Sequence, residues 1–223
     1  VKSDLSSMRQ KYMTLHSALG GTVDDKPGEK FERLAEAYAK PPRKYHTLEH
    51  IYWVLKRIDE MADDSRGRGA QFDELEWDTL RWAAWYHDYV LSGRPDDEQQ
   101  SADFAMIDLP RACPGRACDA PRLVKATAHD RIQLGYDAAR LCDADLSILG
   151  ADPEHFDRYE TQVREEWGHV PLELFKTARA VILKKFAARP WIYMTDYART
   201  RWERNARANL MRSIGALTQG SEA

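Results

Sequence analysis

Cysteine is scarce, with three in 223 residues. An odd, sparse set does not make a disulfide framework. Cys113 and Cys118 lie in a Pro/Gly segment, CPGRAC, where a bridge would constrain little, and Cys142 stands alone. No stretch approaches the roughly 18 consecutive apolar residues of a membrane helix. The richest run, WAAWYHDYVL, is interrupted by His87 and Asp88. The N-terminal segment has no apolar run of signal-peptide type, so a cytoplasmic location is the expectation. There is no basic excess either: Lys+Arg 33 against Asp+Glu 36 leaves a net charge of -3. Neither a nucleic-acid polymer nor a membrane is therefore expected as a partner. The Gly-rich frame of a phosphate loop is missing, since GRG at 67–69 lacks the required spacing. GxSxG and HExxH are absent too, which argues against a zinc protease.

What remains is an ordinary globular composition, 43% hydrophobic and 31% charged. That mix excludes the disordered class, and the length suits one sizeable core. Seven Trp and ten Tyr point to an aromatic interior.

Apolar periodicity is helical throughout, with no clear alternation of period two. FERLAEAYAK carries Phe31, Leu34, Ala35 and Tyr38 as a helical stripe, and Pro41-Pro42 ends it. Thr47 is an N-cap candidate for a helix burying Ile51, Val54, Leu55 and Ile58. Further helices are expected over about 74–91, 97–107, 121–129, 137–150, 153 onward, 171–189 and 196–217, with a loop over 110–121. Gly150 reads as a helix stop and Pro153 as a first helical residue. With no repeat and no long linker, the expectation is one all-α domain over 1–223.

Seven histidines divide by context. His16, His155 and His169 have no partner in a suggestive frame and read as surface or packing residues. His46 and His50 stand four apart in YHTLEH, one turn apart on one face where a helix includes both. His87 and Asp88 are adjacent inside an apolar helix, and Asp145 sits among apolar residues in CDADLSILG. Burying neighbouring imidazole and carboxylate groups costs several kcal/mol unless they are paired or coordinated. A cation compensates that cost, and this donor set suits Mn, Fe, Co, Ni or Zn, with Mg as a further option. A His-Asp dipeptide alone is more often a hydrogen-bonded core pair. The order HxxxH, HD, H, DxD carries the stronger signal.

That order resembles the HD superfamily of metal-dependent phosphohydrolases, in which His, His-Asp and Asp lie on separate helices of an all-α domain. The matching positions are His50, His87-Asp88 and Asp145. YHTLEH is similar to the YHNxxH element of cyclic-nucleotide phosphodiesterases, and ADLS to the element supplying their last metal aspartate. RKYHTLEHI, WYHDYVLSG, DEQQSA, DADLSILG and IYMT…WERNARANL resemble a bacterial group of HD-type phosphohydrolases of unassigned substrate, over about residues 30 to 212. The resemblance implies His50 as first ligand, Asp145 rather than Asp143 as last, and His46 as general acid. The alternative for His46 is a hydrogen-bonded loop histidine. Asp88 could also take a proton from water. His129, in TAHD, is a candidate second-metal ligand, phosphate contact or helix cap. Some relatives place a histidine shortly after the HD helix, where this chain has PDDEQQSA. Asp97 or Glu98 could substitute there, or simply form a solvated acidic helix start. One or two ions are thus expected. Arg43 and Lys125 are the candidate substrate contacts, against an ordinary role as exposed charges. Glu203 and Arg207 fit a simple i, i+4 pair.

The activity implied is metal-activated hydrolysis of a small phosphoester, with a nucleotide as one option. The alternatives are a di-iron oxygenase on the same scaffold and a non-catalytic metabolite-binding domain.

Overall fold

A computed structural model of the chain describes residues 4–69, 73–130 and 135–219. Among the described residues there are ten α-helices, three short 3-10 turns and no strand. The helices are α1 (Leu5–Ala18), α2 (Pro27–Ala39), α3 (Leu48–Gly67), α4 (Glu74–Tyr86), α5 (Asp97–Asp108), α6 (Ala120–Ala126), α7 (Tyr136–Asp145), α8 (Pro153–Glu166), α9 (Leu172–Ala187) and α10 (Asp196–Thr218). The all-α architecture expected from periodicity is what forms, around one contiguous apolar core.

The helix α4 is its centre. Trp77, Leu80, Trp82, Ala83, Ala84, Trp85 and Tyr86 are all buried, and the charged residues Glu74, Asp78 and Arg81 form one outward strip joined by ion pairs. A helix whose polar strip is this narrow lies mostly in the interior. Accordingly α4 packs against α1, α3, α5, α6 and α7. The helix α1 adds an element beyond those read from periodicity. Asp4 caps it through the Ser6 N–H, and Met8, Tyr12 and Leu15 form its buried stripe. Tyr12 and Tyr86 share a buried hydrogen bond of 2.7 Å, and Tyr86 donates to Asp108 at 2.9 Å.

Several boundaries differ from expectation. The helix α4 ends at Tyr86 rather than Leu91. The Arg43 guanidinium takes the carbonyls of His46, Asp88 and Tyr89, at 2.9, 2.8 and 2.9 Å. The backbone beyond is held by Asp97, whose carboxylate accepts from Ser92, Gly93 and Arg94 N–H groups. Asp97 is therefore a buried turn anchor, neither a solvated helix start nor a partner of the histidines. The 110–121 loop contains a 3-10 turn, Gly115–Asp119. The helix α6 stops at Ala126, three residues before His129. Gly150 is not in the left-handed region; a Cβ there would lie 2.5 Å from the Trp202 Cβ and 2.9 Å from the Tyr193 hydroxyl. It is a point of close approach rather than a conformational stop. Glu203 and Arg207 form the i, i+4 pair at 2.8 Å, and Glu203 also accepts from the Ile192 and Tyr193 N–H groups.

Gly150→Ala should therefore lower stability by about 1–3 kcal/mol through overpacking, measured by denaturant unfolding. An unchanged midpoint would mean that α10 moves aside without cost.

Candidate metal centre

Three helices bring the chemistry together, because α3, α4 and α7 pack against one another. His50 lies in the first turn of α3, after the Thr47 cap. His87 is the residue at which α4 ends, and Asp88 follows in the turn that Arg43 clamps. Asp145 closes α7. His87 and Asp88 therefore sit at the end of an apolar helix, not in its middle as the sequence suggested.

The Nε2 atoms of His50 and His87 face each other at 3.1 Å. Asp88 Oδ2 lies 3.4 Å from the first and 3.2 Å from the second. Asp145 Oδ1 lies 3.2 and 3.5 Å from the same two atoms. Both imidazoles are buried, while Asp88 and Asp145 keep 22% and 17% of their side chains exposed, leaving a way in from solvent. His87 Nδ1 is 2.9 Å from the Ala84 carbonyl, which can only accept. The proton is then on Nδ1, and Nε2 turns its lone pair toward the cluster, the tautomer of a metal ligand. The two carboxylates beside these ring nitrogens need positive charge in a small buried volume, which protons on the imidazoles or a bound cation can supply. Donors about 2.1 Å from one ion lie about 3.0–3.4 Å apart in octahedral or tetrahedral arrangement. The separations here fall in or close to that range. The donor atoms of His50, His87 and Asp88 lie within 4.8 Å of one another, and the three could hold a metal ion.

The electrostatics describe the same demand. Burial works against ionised carboxylates, yet His87, His46 and His50 hold the Asp88 pKa well below the usual range. Burial likewise opposes the Asp145 carboxylate, and hydrogen bonds from His129, His50 and His87 hold its pKa well down. Burial disfavours the charged form of His50 and His87, but Asp145 and Asp88 raise both imidazole pKa values.

His129 reaches the second oxygen of Asp145, Nε2 to Oδ2, at 2.7 Å. Its backbone is left-handed, φ 52, a conformation that is uncommon for a side-chain-bearing residue. Arg189 holds it there by donating to the His129 carbonyl at 2.7 Å. Asp143, two residues before Asp145, faces elsewhere. It accepts from the Met194 and Thr195 N–H groups and the Thr195 hydroxyl, anchoring the start of α10. Burial pushes its carboxyl up to about 6, against those donors.

The residue that sequence reasoning missed is Glu166, the last of α8. Its Oε1 accepts from the N–H groups of Lys44, Tyr45 and His46, at 2.7, 2.8 and 2.8 Å. Its Oε2 lies 2.6 Å from His46 Nδ1. The carboxylate therefore fixes both the backbone and the ring of His46. Burial opposes its charge, but the His46 hydrogen bond and the backbone N–H groups keep its pKa lowered. The one local hint in the sequence is a carboxylate in the last turn of a helix, where the macrodipole disfavours it.

A cavity of about 450 Å³ opens beside the cluster, lined by His50 and Asp145. Its cations are Lys44, Arg57 and Arg158, not the two expected. Arg43 is spent on backbone carbonyls, and Lys125 is an exposed residue outside the cavity wall. His155 is exposed, paired with Asp152 at 2.6 Å, yet it lines the cavity. His169 is exposed beside Trp167, and His16 is a buried packing residue stacked on Tyr12.

Comparison of the chain with protein-family models, curated proteins and solved structures returns no match. The site must be judged on its own geometry.

Two outcomes are expected from metal analysis. Asp88→Ala should strip the protein of bound transition metal, whereas His169→Ala should leave it at the wild-type level. The raised imidazole pKa values also give the affinity a sign. Protons compete with the ion below the folded pKa of His50 and His87, which lies above the ordinary imidazole value, so affinity should climb with pH until that pKa is passed. Calorimetry in buffers of differing ionisation heat should detect proton release on binding; a pH-independent affinity would contradict the ligand set.

Proposed function

We propose that this chain is a metal-dependent phosphohydrolase of HD type acting on a small phosphoester. The observation that carries the reading is the meeting of His50, His87, Asp88 and Asp145, from three helices, at the edge of a cavity whose wall carries Lys44, Arg57 and Arg158 alongside Glu49 and Asp152. His50, His87, Asp88 and Asp145 would hold one divalent ion, and His129, on the far oxygen of Asp145, extends the site toward a second. The ion would supply Lewis-acid polarisation of a phosphoryl oxygen and would lower the pKa of the attacking water.

The chain's own groups do the rest. Asp88, ionised and partly open to solvent, accepts a proton from that water. His46 delivers one to the departing oxygen. Glu166 receives the Nδ1 proton of His46, which orients the opposite nitrogen, Nε2, away from the carboxylate. Lys44, Arg57 and Arg158 offer positive charge to an anionic substrate. Trp53, Tyr45 and Tyr159 supply apolar wall for its organic part. At about 450 Å³ the cavity suits a small molecule such as a mononucleotide.

The contact between His129 and Asp145 also favours a second reading, a di-iron oxygenase, since a carboxylate with both oxygens engaged can bridge two ions. Metal analysis separates the two. Turnover of phosphoesters with Mn, Co, Ni, Mg or Fe supports hydrolysis, while two irons with dioxygen-dependent chemistry support the alternative. Tight metabolite binding without turnover in any metal would support a non-catalytic domain.

Under the hydrolase reading, His46→Ala should slow phosphoester turnover by about 10²–10⁴-fold while metal content stays at the wild-type level. Loss of metal instead would make His46 a ligand.

A further inference from the structure

The helix α9 carries an outer face that the fold leaves uncovered. Only Arg179, Ala180 and Leu183 are buried, on the side turned to α10. On the opposite side Leu174, Val181 and Ile182 are 64%, 55% and 44% exposed, and Ala178 is exposed between them. These positions, i, i+4, i+7 and i+8, make a continuous apolar stripe along two turns. Exposed leucines or valines scattered singly need no explanation, but a stripe at helical spacing does.

The charges flanking the stripe say what covers it. Glu173 stands at its N-terminal end, and Lys184 and Lys185 stand at its C-terminal end. Glu173 pairs with Lys176 at 2.9 Å but stays 73% exposed. Lys184 and Lys185 are exposed and have no carboxylate partner among the described residues. Glu173 and Lys184 are eleven residues apart. At about 100° per residue that is close to three full turns, so both lie on the same flank of the stripe. A helix that is acidic at one end of a flank and basic at the other complements itself when two copies run antiparallel.

We propose that α9 is the interface of a symmetric dimer, with a second copy of this chain lying antiparallel across the stripe. The two-fold axis passes near Ala178, where the small side chain lets the helices approach. Leu174 of one protomer then lies over the partner's Val181 and the partner's Ile182. Glu173 lies level with the partner's Lys184, and the reverse pair repeats on the other side of the axis. The same patch serves both protomers, as a closed two-fold contact requires. One helix per protomer makes a small interface, so the equilibrium depends on concentration in the micromolar range.

Sedimentation velocity of the full chain, from about 5 to about 200 µM, tests this. The wild type should shift from monomer toward dimer across the series. Val181→Glu should remain monomeric at every concentration, with an unchanged far-UV circular dichroism spectrum to show that it folds. Glu173→Lys should weaken association by about tenfold or more, and adding Lys184→Glu should restore it. A wild type that is monomeric throughout, a dimer that survives Val181→Glu, or a charge swap that fails to restore association would each overturn the proposal.

Discussion

Four donor groups facing one another in a half-buried space set the terms for the rest of the molecule. The two carboxylates beside the two imidazole nitrogens, themselves 3.1 Å apart, are stable there only with positive charge among them, from imidazole protons or from a cation. A domain can hold that arrangement only if rigid elements deliver each group and the surrounding backbone is satisfied. Here the delivery is by α3, α4 and α7, packed on one another with the aromatic side of α4 buried among them.

Local order is given up wherever the site needs it. The helix α4 would continue on composition alone, yet it opens at His87 so that Asp88 can turn toward His50. Arg43 takes up the carbonyls released by that break. His129 sits in a left-handed conformation that its side chain disfavours, held by Arg189 and facing Asp145. Departures of this kind concentrate at functional positions, where the surroundings over-determine the backbone. The Asp143/Asp145 pair shows the division of labour. One carboxylate fixes the start of α10, and its neighbour two residues on faces the cluster.

The segment between α2 and α3 is ordered from a distance. Its backbone donors at Lys44, Tyr45 and His46 would be unpaired without Glu166, which arrives from the end of α8. The same carboxylate orients the His46 ring, so the packing of α8 and the chemistry of His46 are one constraint. It also explains why the cations lining the cavity differ from those that the sequence offered. Arg43 stands beside the His46 motif but is consumed in holding the turn. Arg57 stands two turns beyond His50 on α3, and Arg158 comes from α8.

The sequence by itself determined the helical class, most of the helices and the His50, His87 and Asp88 group that could hold a metal ion. Those features are local: apolar spacing of three and four, caps such as Thr47, and charged residues stranded in apolar runs at His87-Asp88 and Asp145. Where α4 ends, what Arg43 does, why Gly150 must be glycine, and that Glu166 governs His46 were decided only by the tertiary structure. Each depends on atoms that meet across long stretches of chain, as with Glu166 and His46, 120 residues apart. Periodicity and propensity describe a residue's neighbours along the helix, and hold no information about which distant backbone will present its donors there.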